Sequence, residues 1–223
     1  MEQKKYEPIF SKLKPSLEKV APKITCEAIL GGCGWLLKST LSPAECQAVI
    51  RVTEQEGYED AKKYCFMYVN RINDRLMSDD SRFAQFLWER VREFVPEQMD
   101  AFSRSWRVSA LNSRFRICRY IGGKGHHFGP HCDGIYPESE DRMSLLTCMI
   151  YLNDASEFEG GLTNFLKFGT KDVTLSIQPE PGLCVIFKQM EREHCFHEGT
   201  EVKRGLKYIL RTDVMYDAVT PKQ

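Results

Sequence analysis

The stretch that decides the fold is KYILRTDVMY, residues 207–216 of a chain of 223 residues. Successive side chains of a β-strand point to opposite faces of its sheet, and this stretch alternates in that way. One face would carry Tyr208, Leu210, Thr212, Val214 and Tyr216, and the other Lys207, Ile209, Arg211, Asp213 and Met215. The period of two predicts a strand with one face buried in a core.

His131 and Asp133 form a second informative pair, in the segment FGPHCD at positions 128–133. Their side chains point the same way if the chain is extended there, so one metal ion can contact both. His197, which follows the apolar run LCVIF at 183–187, is the candidate third ligand. Two imidazoles and one carboxylate are typical of non-haem Fe(II) oxygenases, whereas zinc usually has a fourth ligand or a single open position.

Two other interpretations of these residues stay open. Because His-x-Asp is a short motif, His131 and Asp133 can be a hydrogen-bonded loop pair, with His197 at the surface. Cys195, close to His197, can instead belong to a Cys/His zinc site. Cys132 is a weaker candidate, because it would point to the other side of its strand.

Lys207 adds a positive charge to the interior in which the metal is expected. Burying an unpaired ammonium group is costly, so the same interior should also hold an anion. The far carboxylate of a dicarboxylic acid is the anion that we expect. The alternatives are that Lys207 extends its amine to solvent or pairs with an internal Asp or Glu.

Composition and charge are those of an ordinary globular protein. Hydrophobic residues make up 42% of the sequence, and 31 Lys and Arg balance 31 Asp and Glu. This balance carries no signal for a polyanion, so we do not expect a nucleic-acid partner.

Cysteine content and apolar runs bear on the compartment. The nine cysteines are odd in number and lack paired spacing, which favours reduced thiols over a disulfide framework. The sequence MEQKK at 1–5 lacks the apolar core of a secretory signal, and no apolar run has the length of a membrane span. We expect no membrane partner and a cytoplasmic location, with the nucleus as the alternative.

Two helices are predicted before the strand-rich part. The first begins with a capping box, Ser42-Pro43-Ala44-Glu45, and should end at Gly57. The second spans Asp79 to Val95, where an apolar stripe indicates packing against a core. The stripe consists of Phe83, Leu87, Val91 and Phe94.

Several motifs, taken in order, resemble the Fe(II)- and 2-oxoglutarate-dependent dioxygenases, specifically the prolyl 4-hydroxylase-like branch. They are RYIGG (119–123), FGPHCD (128–133), LTCMIYLN (146–153), EGGLTNF (159–165) and V-x-x-G-x-K (202–207). An ordered set is more specific than any single motif. The resemblance spans roughly Ser113 to Tyr216 and implies an α+β fold, with N-terminal helices against one sheet of a double-stranded β-helix, or jelly roll.

The resemblance also divides the chain. Residues 1–23, with prolines among Lys and Glu, are expected to form a loosely packed tail or lead-in. Residues 24–223 would form a single dioxygenase domain, with helical support over 24–110 and the jelly-roll core over 111–217. The segment from Tyr58 to Ser78 would cover the active site. Arg71 and Arg75 are expected on its solvent face, and the alternative is that they contact substrate.

Carried over residue by residue, the resemblance implies that His131, Asp133 and His197 bind Fe(II). Lys207 would bind the far carboxylate of the co-substrate 2-oxoglutarate, and ascorbate would serve as reductant. Arg204 and Arg211 compete with Lys207 for this carboxylate, because arginine binds carboxylates well, but the motif spacing favours Lys207.

Three further residues are similar to those that help to hold the co-substrate in the family. They are Tyr120, Tyr151 and Thr163. The two tyrosines can equally be core aromatic residues with satisfied hydroxyl groups.

The leading functional hypothesis is a hydroxylase of peptidyl proline, which converts 2-oxoglutarate and oxygen to succinate and carbon dioxide and takes a protein or peptide substrate. The alternative among enzymes has the same mechanism and acts on a small molecule, a free amino acid or a nucleobase. The alternative outside enzymes is a cupin-like metal-binding sensor module, which would lack a metal ligand or the anion-binding residue. Loops and pocket shape, rather than these motifs, would select the substrate.

Overall fold

The computed structural model describes residues 5–16, 23–61 and 71–219. β-strands dominate these ranges. They are β1 Thr25–Ile29, β2 Gly34–Lys38, β3 Glu59–Asp60, β4 Arg71–Ile72, β5 Asp74–Asp79, β6 Gln98–Ala101, β7 Arg104–Leu111, β8 Arg114–Ile121, β9 His127–His131, β10 Pro137–Ser139, β11 Arg142–Tyr151, β12 Phe158–Gly160, β13 Thr163–Leu166, β14 Val173–Ile177, β15 Cys184–Lys188, β16 His197–Gly199 and β17 Val202–Ala218. No helix in these ranges is long and apolar enough to cross a membrane.

Helices are fewer and shorter. The α-helices are α1 Pro43–Glu56, α2 Ser81–Val91 and α3 Arg192–Cys195, and 3-10 turns lie at Phe10–Ser16, Leu30–Gly32, Arg92–Phe94 and Ala155–Glu157.

The strands form two sheets with antiparallel pairing. The larger sheet has the order β1-β2-β15-β11-β17-β8-β5-β3, and the smaller one β14-β13-β16-β9-β4. Strands distant in sequence are neighbours in both sheets, as in a jelly roll. The predicted α+β fold with a jelly-roll core is confirmed.

The long strand β17 lies at the centre of the larger sheet, between β11 and β8. Its two faces are those that the alternation predicts. Tyr208, Leu210, Val214 and Tyr216 belong to one apolar core, whereas Lys207, Ile209 and Arg211 line a cavity between the sheets.

The helices pack on the outer side of this sheet, as expected. Cys46 and Val49 of α1 and Phe83 and Leu87 of α2 share the core with Leu210 of β17. Burying apolar area in this way is the main source of stability for such a layer.

The first predicted helix is confirmed. Ser42 caps α1, the capping box with Glu45 is present, and Gly57 ends the helix. Glu45 is buried and also pairs with Arg90 of α2 at 2.7 Å, so one carboxylate connects the two helices.

The second helix is shorter than predicted. Asp79 is the last residue of β5, where its carboxylate pairs with Arg114, and Asp80 caps a helix that begins at Ser81. The helix ends at Val91 and a 3-10 turn follows. Tertiary pairing of Asp79 therefore overrides the local helical pattern at this end.

The expectation of a loose lead-in is wrong for part of residues 1–23. Ile9, Phe10 and Leu13 are buried, and the Phe10 ring stacks on Phe83 with centroids 4.2 Å apart. Their apolar side chains cover α2, which the count of prolines and charges does not reveal. Residues 1–4 and 17–22 lie outside the described residues, as do 62–70 of the segment predicted to cover the active site.

Candidate metal centre and cavity

Three predicted ligands meet where β9 and β16 run side by side. His131 is the last residue of β9, His197 is the first of β16, and the two are register partners. Directly opposed residues on neighbouring strands project from the same face, which brings their imidazole rings to a centroid distance of 4.2 Å. Asp133 follows His131 by two residues, beyond the end of β9. One donor atom from each of the three lies within 4.8 Å of the others.

Hydrogen bonds orient both imidazoles. The Nδ1 atoms of His131 and His197 lie 2.9 Å and 2.8 Å from the backbone carbonyls of Gly129 and Cys195. A proton on each Nδ1 satisfies these carbonyls and leaves Nε2 with its lone pair. Both Nε2 atoms face Asp133, at 3.5 Å and 4.0 Å from its carboxylate oxygens. This is the orientation that a metal-binding histidine requires.

The charge states of Asp133 and His197 also suit a cation. Burial alone would raise the pKa of Asp133, but Arg211 and the two histidines hold it well below its usual range. Burial and the neighbouring His131 lower the pKa of His197 to about 4. At neutral pH the site therefore offers a carboxylate and a neutral His197.

A buried polar network holds the Asp133 carboxylate. Thr147 of β11 donates its hydroxyl proton to Asp133 Oδ2 at 2.7 Å. Gln189 in turn bridges Thr147 and Asp213, donating at 3.3 Å and 3.0 Å. Sequence reasoning missed Thr147 and Gln189, because nothing in their local sequence indicates that they lie behind Asp133.

Arg211 reaches the same carboxylate from β17. Its Nη2 atom lies 3.1 Å from Asp133 Oδ1 and 3.2 Å from the Thr147 hydroxyl oxygen. Its Nε atom is buried and has no hydrogen-bond partner among the described residues. Arg211 therefore brings both a positive charge and an unused donor to the metal end of the cavity.

Lys207 lies elsewhere in the wall of the same cavity. Its side chain is 2% exposed, which excludes the alternative that its amine reaches solvent. The ammonium donates to the Gly161 carbonyl at 2.5 Å, and no carboxylate among the described residues pairs with it. Burial accordingly lowers its pKa to about 7.

The GG motif explains how Lys207 is accommodated. Gly161 has φ of +66°, and a Cβ atom there would lie 3.2 Å from Lys207 Cδ. Glycine tolerates this backbone conformation and leaves room for the lysine stem.

The three other predicted co-substrate residues lie near Lys207. Tyr120 is its register partner on β8, and the Lys207 ammonium lies 5.6 Å from the Tyr120 ring centroid and 5.4 Å from that of Tyr151. Tyr151 donates its hydroxyl proton to Thr163 at 2.7 Å. Tyr120 and Thr163 line the cavity. Tyr151 lies behind Thr163, to which it is hydrogen-bonded. Burial raises the pKa of both tyrosines, that of Tyr120 to about 12, so both are neutral.

Comparison with known proteins agrees with this geometry. Residues 115–212 match the family model described as the 2OG-Fe(II) oxygenase superfamily. This range includes the predicted metal ligands, Lys207 and Arg211. The match covers slightly less than half of the chain. The match supports a 2-oxoglutarate-dependent dioxygenase, and the matched family implies Fe(II) and 2-oxoglutarate as metal and co-substrate. This favours the enzyme interpretation over the sensor module.

Solved structures agree on a prolyl 4-hydroxylase-like fold. The viral collagen prolyl hydroxylase of Paramecium Bursaria Chlorella virus-1, in a 2OG complex, is 19% identical, with a TM-score of 0.55 over 84% of this chain and 97% of that one. A Pseudomonas putida prolyl-4-hydroxylase is 15% identical, with a TM-score of 0.55 over 82% and 91%. A Trichoplax adhaerens prolyl hydroxylase, in complex with a hypoxia inducible factor peptide fragment, is 11% identical, with a TM-score of 0.54 over 92% and 86%. No curated protein matches the sequence.

The two candidate arginines, Arg204 and Arg211, lie in different places relative to the cavity. Arg204 lies outside the cavity, since its side chain is 84% exposed and pairs with Glu159. Only Arg211 of the two therefore remains a candidate for sharing the cavity with Lys207.

The expectation that Arg71 and Arg75 lie on a solvent face is wrong. Arg75 is buried, and Arg71 lines the cavity, with its guanidinium 4.3 Å from the Phe128 ring centroid. Arg71 also donates to the Cys118 sulfur at 3.1 Å. Cys118 lies two residues before Tyr120 on β8, so the two side chains point to the same face of the strand. This period of two is the signal that could have placed Cys118 at the cavity.

Proposed function

We propose that the chain hydroxylates peptidyl proline, with Fe(II) held by His131, Asp133 and His197 and 2-oxoglutarate anchored by Lys207. One observation carries the proposal. Three metal-binding donors and one buried, otherwise unpaired ammonium face a single cavity.

The donor set suits Fe(II). Two imidazole nitrogens and one carboxylate match the three-residue arrangement of non-haem Fe(II) oxygenases, which leaves coordination positions for other ligands. The carbonyls behind both Nδ1 atoms and the Thr147 hydroxyl behind Asp133 are outer contacts of the kind that orient metal ligands.

The residues around Lys207 suit a carboxylate. The ammonium is buried and directed at a backbone carbonyl, and a carboxylate would supply the missing opposite charge. The neighbouring Tyr120 and Thr163 hydroxyl groups can donate to the same oxygens. When bound, Fe(II) and 2-oxoglutarate together supply the oxygen activation that yields succinate, carbon dioxide and a hydroxylated carbon.

Arg211 is proposed as a positioning residue at the metal end. Its contacts with Asp133 and Thr147 hold the carboxylate in one orientation. Its buried Nε can donate to an anionic group of the co-substrate that approaches the metal. Two cations would then contact the two ends of one dicarboxylate.

Proline as the substrate is supported by the fold and by the cavity wall. The similar solved structures are named as prolyl hydroxylases, one of them with a bound peptide fragment. Phe128, whose ring stacks on His131, and Met149 line the cavity and offer apolar surface for a pyrrolidine ring. We propose ascorbate as the external reductant.

The test is 2-oxoglutarate-dependent succinate formation with a pool of proline-containing peptides, started by oxygen after anaerobic loading with Fe(II). Wild type should form succinate and add one oxygen atom to a proline, and His131→Ala should do neither. His127→Ala, on the same strand but outside the triad, is the matched control.

Three results would count against the proposal. Absence of succinate from wild type would remove its support, and equal succinate from His131→Ala would show that His131 is not a ligand. Succinate formation that responds to free amino acids or nucleobases rather than to peptides would favour the alternative substrate class.

A further inference from the structure

We propose that Cys33, Glu191 and His194 form a second metal site, which binds Zn²⁺ or another divalent ion that favours thiolate. The three residues do not line the oxygenase cavity. They come from two connections that lie side by side: Cys33 follows the 3-10 turn Leu30–Gly32, and Glu191 and His194 lie at the start of α3 and within it. Their donor atoms all lie within 4.8 Å of one another.

The spacing of the donors is close to that of a bound ion. His194 Nδ1 lies 3.5 Å from Glu191 Oε2 and 4.0 Å from Cys33 Sγ. In a tetrahedral zinc site, bond lengths of ~2.0–2.3 Å separate nitrogen from oxygen by about 3.4 Å and nitrogen from sulfur by about 3.6 Å. The two distances from His194 Nδ1 are therefore within a few tenths of an ångström of those in a bound site, and the Cys33 and Glu191 donors lie within 4.8 Å of each other.

Backbone hydrogen bonds hold two of the ligands in place. Cys33 donates its N–H to Leu30 at 3.0 Å, and its carbonyl accepts from Lys188 at 2.9 Å. The Glu191 carboxylate accepts the N–H groups of residues 193, 194 and 195 at 3.0, 2.7 and 3.1 Å. A carboxylate has about four acceptor positions, and Oε2 accepts two of these N–H groups while Oε1 accepts one, so the position left for a metal is on Oε1. Little conformational entropy is lost on binding, since the ligands are already ordered.

The donor types select the class of ion. A thiolate, a carboxylate and a neutral imidazole are ligands that Zn²⁺ accepts, whereas Mg²⁺ and Ca²⁺ prefer oxygen ligands alone. Two negative ligands balance the charge of a divalent cation. The Glu191 and His194 side chains are 24% and 41% exposed, which leaves access for a water molecule as the fourth ligand.

The site would stabilise the approach to the oxygenase metal ligands. A bound ion would tie the turn before Cys33 to α3, and α3 ends at Cys195. The Cys195 carbonyl is the partner of His197 Nδ1 at 2.8 Å. A structural ion therefore would fix the segment that orients His197.

Titration of the reduced, full-length protein with Co²⁺ tests this proposal. Thiolate bound to Co²⁺ produces sulfur-to-metal charge-transfer absorption in the near ultraviolet, which a site of imidazole and carboxylate ligands does not produce. Wild type should bind two equivalents and show this absorption. Cys33→Ser should lose one equivalent and the absorption, while Cys26→Ser, at an exposed cysteine on β1, should retain both.

Two further variants keep the test independent of folding defects and of the proposed oxygenase site. His194→Gln changes a partly exposed side chain and should weaken the thiolate site by about 10-fold or more. Asp133→Ala should lose the other equivalent and leave the charge-transfer absorption unchanged. Zn²⁺ should raise the melting temperature of Asp133→Ala but not that of a variant that also carries Cys33→Ser.

The proposal is overturned if wild type shows no thiolate absorption, if the absorption persists in Cys33→Ser, or if His194→Gln binds as tightly as wild type. It does not depend on the reaction, because Cys33→Ser should still form succinate from 2-oxoglutarate.

Discussion

Alternate residues of β17 lie in two very different environments. Tyr208, Leu210, Val214 and Tyr216 pack among apolar side chains beneath α1 and α2, and Lys207 and Arg211 on the other face line the cavity. The first face stabilises the fold through buried apolar area. On the second face, Arg211 pairs with Asp133, whereas the buried Lys207 costs free energy until an anion compensates its charge. Alternate side chains of the same strand therefore serve either the stability of the core or the chemistry of the cavity. Substitutions on each face can test this division.

The largest effect is expected for Lys207→Met. Removing one partner of a buried charge pair costs about 3–5 kcal/mol, so the affinity for 2-oxoglutarate should fall roughly 100-fold or more. The melting temperature of the protein without co-substrate should not fall, because methionine removes a buried charge whose hydrogen-bond partner among residues 5–16, 23–61 and 71–219 is a backbone carbonyl. Calorimetric titration of the Mn²⁺-loaded protein measures the affinity.

Lys203→Met is the matched control, since Lys203 is an exposed lysine on the same strand. Its affinity for 2-oxoglutarate should equal that of wild type. If Lys207→Met bound 2-oxoglutarate normally, the cavity face of β17 would not be the anion-binding face.

On the helix-facing side, Leu210→Ala should lower the free energy of unfolding by about 2–5 kcal/mol, because it leaves a cavity in the core. The folded fraction should bind 2-oxoglutarate as wild type does. Chemical denaturation measures the stability, and Leu206→Ala, at a residue that is 40% exposed, serves as the control. A stable Leu210→Ala protein with impaired binding would reverse the roles that we assign to the two faces.

Two threonines on adjacent strands make a finer test. Thr147→Val removes the hydroxyl that donates to Asp133, so the affinity for Fe(II) should fall about 10–100-fold, as for other outer contacts of metal ligands. Thr212→Val removes a hydroxyl that donates to the Asn112 carbonyl on the opposite face, at 2.7 Å. It should lower stability and leave metal affinity unchanged. Anaerobic metal titration of both variants measures this difference, and equal metal affinities would contradict it.

The smallest effect concerns pH. Burial lowers the pKa of Lys207 to about 7, so the amine is charged below that pH and neutral above it. A dianionic co-substrate binds the charged form, and its affinity should decline above pH 7 by up to about 10-fold per pH unit, with uptake of a proton. Titrations in buffers of different ionisation enthalpy detect this proton. Lys207→Arg, which stays charged, should bind without the pH dependence; the same decline in that variant would exclude Lys207 as its cause.

Local patterns predicted much of the fold because their physical causes are local. The alternation at 207–216 and the capping box at Ser42 and Glu45 follow from backbone periodicity and hydrogen bonding within a few residues. Asp79 shows where this reasoning ends. Its helical context was overridden by an ion pair with Arg114, 35 residues away, which no local pattern contains.

The candidate site divides in the same way. His131, Asp133, His197 and Lys207 were nominated from residue type, spacing and family resemblance. Thr147, Gln189 and the role of Arg211 became visible only when β11, β15 and β17 were brought together, because hydrogen bonds across strands do not depend on sequence separation.

The sequence by itself determined the alternating pattern of β17, a resemblance to one family and a set of candidate residues for binding a metal and an anion. Only the tertiary structure decided that Lys207 is buried with no carboxylate partner in the described part of the chain, that Arg211 and not Arg204 shares its cavity, and that Cys33 lies beside Glu191 and His194. The physical reason is that the type of a residue fixes the chemistry of its side chain. Its burial and its pairing energy depend instead on distances between residues far apart in the chain, which the antiparallel strands set.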